Sequence, residues 1–148
     1  MSWTPHITVA AVIEQEQHFL LVEEVADGLT VFNQPAGHWE RGETLIEAVQ
    51  RETLEETGWH FIPQAIIGIY EYTSPINGIT YLRICFCGSA EHRKFEGPLD
   101  DGIVRALWST RPQLLEVKEK LRSPLVLKSI DDYLAGIRYP LTLVTSVY

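Results

Sequence analysis

The chain has 148 residues, of which 45% are hydrophobic and 22% charged, and its formal net charge is −8. That length suits one globular domain with a core and is short for two, and the acid excess excludes a surface built to hold a nucleic-acid backbone, which needs clustered Lys and Arg. No stretch approaches the roughly 20 apolar residues that cross a bilayer, and an acidic chain that handles phosphates implies a divalent cation to offset its own charge.

In chain order, the opening MSWTPHITVAAVIEQEQ has no basic start and its apolar run is broken at Glu14; it is not expected to be a signal peptide, and the cytoplasm is the expected compartment. His6 to Ile13 and His18 to Glu23 are β-branched and apolar, and the polar Glu14–Gln17 between them predicts a hairpin. Leu29 to Phe32 is a short strand candidate. Gln34-Pro35-Ala36-Gly37-His38 cannot be helical, because Pro35 and Gly37 interrupt it. From Thr44 the apolar period becomes helical and holds to Gly58, with Thr44 or Glu43 as the cap and Gly58 as the terminating glycine. Strands are predicted at Ala65 to Thr73, Ile79 to Gly88 and Val104 to Trp108, the first two joined by a turn through Pro75 and Asn77-Gly78. Helices follow from Pro112 to Leu121 and from Pro124 to about Ala135, since Pro suits a first helical turn. The order predicts an α/β/α sandwich with a mixed β-sheet, one domain over 1–148 with a C-terminal helix and tail from about residue 124. Cys85 and Cys87 share one face of a strand, a poor placement for a disulfide, and no His or thiol cluster joins them for a metal. The apolar tail, Tyr139 to Tyr148, packs on its own domain or on a neighbour, which leaves monomer or homodimer open.

Chemistry concentrates between Gly37 and Trp59. At about 100° per residue, Leu45, Ala48, Val49, Glu52, Glu55 and Glu56 fall within roughly 120° of one another on the helix. The first two turns of this stripe are apolar and the last two are carboxylates. Three carboxylates at such spacing repel, more so when partly buried, and a hard divalent cation such as Mg²⁺ resolves the conflict. The helix alone is equally compatible with a solvated acidic face. The flanks add Gly37, whose backbone can approach a ligand closely, Glu43 at the helix start, and Arg51, which can hold a carboxylate bidentately or pair simply with Glu47 or Glu55.

The spacing Gly37, five residues, Glu43, seven residues, Arg51-Glu52, two residues, Glu55-Glu56, one residue, Gly58 resembles the signature box of the Nudix hydrolases. Two usually aliphatic positions carry Thr53 and Trp59, which concerns packing rather than chemistry. PHITVAAVI, NQPAGH, LRSPLVLKSI and GIRYPL extend the resemblance over nearly the whole chain to the NudJ-type phosphatases within that family. The resemblance implies Mg²⁺-dependent (or Mn²⁺-dependent) hydrolysis of phosphoanhydride bonds in nucleoside tri- and diphosphates and related small pyrophosphates, including the pyrimidine pyrophosphate precursor of thiamin. It implies that Glu52, Glu55, Glu56 and the Gly37 carbonyl hold one to three ions, that Arg51 and Glu43 orient them, and that water attacks phosphorus in line. The general base varies in this family; Glu55 is the expectation, with Asp100 or Asp101 as the other candidate or as an extra metal ligand.

Substrate contacts are read from position. Arg83, on an otherwise apolar strand, reaches a phosphate or stands outward in solvent. Phe32, Tyr70 and Tyr72 stack on a ring or belong to the core, and His38 beside Gly37 touches substrate or holds the loop. His6, His18, His60 and His92 show no ligand spacing. Three other readings remain: an ADP-ribose or nucleotide-sugar pyrophosphatase, for which Pro75 is equally a turn residue; a Nudix-like binding module without catalysis, which typically loses box carboxylates all present here; and an isoprenoid diphosphate isomerase, for which Cys85 and Cys87 are the only hint.

Overall fold

The computed structural model describes residues 2–95 and 99–147. Seven strands are described: β1 (His6–Gln15), β2 (His18–Ala26), β3 (Leu29–Asn33), β4 (Ala36–His38), β5 (His60–Thr73), β6 (Thr80–Glu91) and β7 (Ile103–Thr110). They form one mixed sheet in the order β3-β2-β1-β6-β5, with β4 on β1 and β7 on β2. β1 lies parallel to β6, with Ile7 opposite Leu82 and Val12 opposite Cys87, whereas its hairpin partner β2 pairs with it only at the turn, Glu14 with Phe19 and Gln15 with His18. The hairpin then splays, and β2 carries β3 and β7 away from the β1–β6–β5 portion.

The apolar run in β1 follows from its place inside the sheet, buried on both faces. Val9, Ala11 and Ile13 point into one core with Phe61, Ile66, Ile84 and Phe86, roofed by Ala48 and Val49 of helix α1 (Leu45–Thr57). Ala10 and Val12 point into a second core with Cys85, Cys87 and Ile67, closed by Leu114 of helix α2 (Arg111–Glu116) and Ile130 of helix α3 (Leu125–Leu134). Helices on both faces of a mixed sheet make the expected sandwich. Cys85 and Cys87 are free, buried and on one face.

α1 is delimited by its own sequence. Thr44 accepts from the Glu47 N–H at 3.1 Å and the Glu47 carboxylate accepts from the Thr44 N–H at 2.8 Å, a capping box. Gly58 closes the helix at φ 79°, and its N–H donates to the Leu54 carbonyl.

Some bounds differ from expectation. β5 begins at His60 rather than Ala65, running through Pro63 by a register shift; β5 ends the strand order, where a missing N–H is tolerated. β6 runs on to Glu91. The helix from Pro112 stops at Glu116, and a 3₁₀ turn takes Lys118–Lys120. The tail lies on its own β5, where Tyr139 and Ile66 exchange backbone hydrogen bonds of 2.7 and 2.9 Å and Leu141 and Val144 pack on the first core; Tyr148 lies outside the described residues. Among the described residues no helix is long and apolar enough to cross a membrane.

Candidate active site

The C-terminal half of α1 packs against β4, and this contact shapes the site. Glu52 and Glu56, on the inward stripe, are only 8% and 7% exposed. The Glu56 carboxylate accepts from the Ala36 N–H at 3.0 Å. The Glu52 carboxylate lies directly over Gly37, where any Cβ would collide with it, so the glycine is needed for this approach. Burial pushes both carboxyls above the ordinary carboxylate range; for Glu52 the Arg51 hydrogen bond opposes the rise, and for Glu56 the Ala36 N–H opposes it while the neighbouring charges of Glu52, Glu24 and Asp100 add to it.

Arg51 organises the polar edge of the helix. Its Nε and Nη2 donate to the two oxygens of Glu43 at 2.9 and 2.8 Å, and Nη2 also donates to the His38 carbonyl at 3.1 Å. Its Nη1 donates to Glu52 at 2.7 Å and to Glu55 at 3.3 Å. The Glu43 hydrogen bond holds Glu43 below its ordinary range and raises the guanidinium above its own. The bidentate pair and the i,i+4 contact to Glu55 therefore coexist.

Among the described residues Glu52 and Glu56 each accept one hydrogen bond, and both border a cavity of about 350 Å³ together with Gly37 and His38. Two buried, raised carboxylates with oxygen left over suit a hard divalent cation, which would relieve their repulsion. Glu55 turns to Arg51 with its side chain 43% exposed, and no three His, Cys, Asp or Glu side chains among the described residues converge as a ready-made cage.

Arg83 forms part of the same cavity. It is 6% exposed rather than turned to solvent. Its Nη atoms donate to Asn33 Oδ1 at 3.4 and 3.3 Å, and Nη2 donates to Gln34 Oε1 at 2.7 Å, while the buried Nε has no hydrogen-bond partner among the described residues. Gln34 is fixed in turn by donating to the Val126 carbonyl of α3 at 2.8 Å. Tyr72 and Tyr81 line the cavity, and the exposed Leu29 and Ile76 stand among its lining. The His38 ring lies 2.9 Å from a His6 ring nitrogen, and its pKa is lowered, first by burial and then by His6 and Arg122.

Not every predicted contact comes here. Phe32 and Tyr70 pack against the second core, and the Tyr70 hydroxyl donates to Asp132 at 2.7 Å. The Asp100 N–H donates to the Glu55 carbonyl at 3.1 Å, and its charge reaches Glu52 and Glu56; Asp101 is exposed in the turn that follows. Glu24, Asn33, Gln34 and Arg122 line or support the cavity and were not singled out from sequence. A signal existed for Asn33 and Gln34, inside NQPAGH, and for Arg122, inside LRSPLVLKSI, two stretches that carried part of the resemblance.

Known proteins share this fold. The NUDIX domain model matches residues 4–128. Phosphatase NudJ of Escherichia coli K12 is 41% identical over 140 residues, covering 95% of this chain and 90% of that protein. A NUDIX hydrolase from Nitrosomonas europaea superposes with a TM-score of 0.94 at 47% identity, over 97% of this chain and 98% of that one. The fold extends to a UDP-X diphosphatase, with a TM-score of 0.75 at 20% identity over 95% of this chain and 68% of that one. With its box carboxylates gathered by Arg51 and Gly37 beside the cavity, the chain belongs to the Nudix family and is a Nudix hydrolase.

Proposed function

We propose that this hydrolase is Mg²⁺-dependent, with Mn²⁺ as a substitute, and releases phosphate from nucleoside tri- and diphosphates and related small pyrophosphates, the pyrimidine pyrophosphate precursor of thiamin included. The observation that carries this reading is the cavity itself. It sets two buried carboxylates, suited to a cation, among the same walls as a buried Arg with no acidic hydrogen-bond partner among the described residues, suited to a phosphate. The similarity to a protein named a phosphatase supports the choice of reaction.

Glu52, Glu56 and the Gly37 carbonyl are the proposed metal ligands, with Glu55 and Asp101 as further ones. The ion, when bound, supplies charge neutralisation at the phosphates and a water of lowered pKa. Arg51 and Glu43 act on the ligands: the bidentate pair fixes the guanidinium, whose Nη1 then sets the rotamer of Glu52. Glu55, exposed at the edge of this bracket, is the proposed base for the attacking water, and a Glu55→Gln variant that kept most of its kcat would remove it from that role. Arg83 holds a phosphate by charge-assisted hydrogen bonds, and Tyr72 and His38 contact the organic portion. The substrate is a small molecule rather than a nucleic acid.

The test is phosphate release with Mg²⁺ from nucleoside triphosphates, diphosphates, the thiamin pyrimidine pyrophosphate and ADP-ribose, with Glu56→Gln and chelator as controls. Orthophosphate from the first three, lost in both controls, is expected. Turnover of ADP-ribose alone would move the substrate to nucleotide sugars, and folded protein that binds but turns over nothing would make it a binding module.

A further inference from the structure

The wall of the cavity that bears Arg83 holds a second cation. Arg122 follows the 3₁₀ turn after α2 and is placed by backbone pairing: Leu121 lies parallel beside Phe32 of β3, and the Arg122 N–H donates to the Phe32 carbonyl at 2.8 Å. Its Nη1 donates to Glu24 Oε1 at 2.8 Å. The same Glu24 oxygen accepts from Asn33 Nδ2 at 3.4 Å, and Asn33 Oδ1 accepts from Arg83. Arg122, Glu24, Asn33 and Arg83 are thus one hydrogen-bonded chain, and all four line the cavity.

The chain is graded in depth and unbalanced in charge. Arg83 is 6% exposed, whereas the Arg122 side chain is 36% exposed and so stands nearer solvent. Within this chain of four the one carboxylate hydrogen-bonds only the shallower guanidinium, and the charges of Glu24 and Glu56 reach Arg83 without a hydrogen bond among the described residues. A buried cation whose hydrogen bonds go to neutral amides is costly in the empty protein, and an anionic ligand in direct contact offsets that cost.

We propose that Arg83 and Arg122 together form a two-phosphate binding wall, Arg83 taking the inner phosphate and Arg122 the one nearer the mouth, with Glu24 as a resident counter-ion that the incoming phosphate replaces at Arg122. This deepens the phosphatase reading and rests on it for the identity of the ligand as a phosphate chain. It also fixes the direction of entry: the terminal phosphate is innermost, and the organic group faces the exposed Leu29 and Ile76.

The experiment is calorimetric binding to the full chain with Mg²⁺, using methylenebisphosphonate, a hydrolysis-resistant two-phosphate probe, and orthophosphate as the one-phosphate probe. Arg122→Gln is expected to weaken the bisphosphonate about tenfold or more, the scale of one charge-assisted hydrogen bond, and orthophosphate less than about threefold. Glu24→Gln is expected to tighten the bisphosphonate, because Arg122 no longer has to leave a carboxylate. Arg83→Gln weakens both probes; should it fail to fold, the two shallower variants carry the test. Bisphosphonate binding equal in Arg122→Gln and the parent, or weaker in Glu24→Gln, would overturn the proposal. Absence of any phosphatase turnover together with the expected binding pattern would overturn the reaction and leave the wall standing, while normal turnover with unaltered binding in Arg122→Gln would do the reverse.

Discussion

Glu56 shows at the scale of one residue how the site works against the fold that holds it. Its carboxylate is 7% exposed, accepts one backbone N–H, and feels the charges of Glu52, Glu24 and Asp100. A carboxyl raised above its unfolded value adds stability at low pH and loses that contribution as pH climbs through the raised value. Without metal, ionising this buried carboxyl is therefore a cost that grows as pH rises. Glu56→Gln keeps an oxygen for the Ala36 N–H and removes the charge, so it should stabilise the metal-free protein by about 1–2 kcal/mol while abolishing turnover. Urea unfolding in chelator checks this, and a destabilised variant would refute it. These box residues were legible in sequence because their spacing is local, within one helix and the turn before it. The opposite wall was not: Glu24 meets Arg122 across most of the chain, and Arg83 meets Asn33 only after β3 and β6 are both in place. Arg83 itself drew notice as a charge in an apolar strand, yet nothing local to it could say that it would be buried beside amides.

Among the elements, α1 is the most completely specified, since period, cap and terminating glycine all agree on its bounds. Thr44→Ala removes the side-chain acceptor of the capping box and should cost about 1 kcal/mol of stability. Thermal unfolding measures it, and the loss should leave the bidentate Arg51–Glu43 pair intact, so kcat should change little; a large fall in kcat would mean that the cap also positions the carboxylates. Other elements were less legible because tertiary context overrides local signals. The sequence predicts this strand only from Ala65, after Pro63, but on an edge the missing donor leaves no partner unsatisfied, so β5 runs through Pro63 from His60. The stretch after Pro112 reads as one helix, yet it must bend so that Arg122 reaches the Phe32 carbonyl. Gln34 to His38 reads only as non-helical, and its extended backbone becomes β4 because β1 offers it an edge.

At the scale of the whole molecule, the second core ties the fold to mildly alkaline limits. Burial pushes the Cys85 thiol up to about 12, and burial together with donation to Glu14 pushes the Tyr133 hydroxyl up to about 12. Both groups have folded values above their unfolded ones, about 8.5 for a thiol and about 10 for a phenol. The stability from keeping them protonated is whole below those values and is lost as pH rises toward about 12. The unfolding midpoint should therefore fall steadily above about pH 9, and a thiol reagent should label Cys85 only as the protein unfolds. A midpoint level to pH 11 would show that this core does not set the limit. The central position of β1 has a consequence for synthesis on the ribosome. His6 pairs with Tyr81 and Ile13 with Gly88, so the strand buried on both faces emerges long before the neighbour that completes it. Until then β1 presents an open apolar edge, the kind of edge that pairs elsewhere when its partner is late.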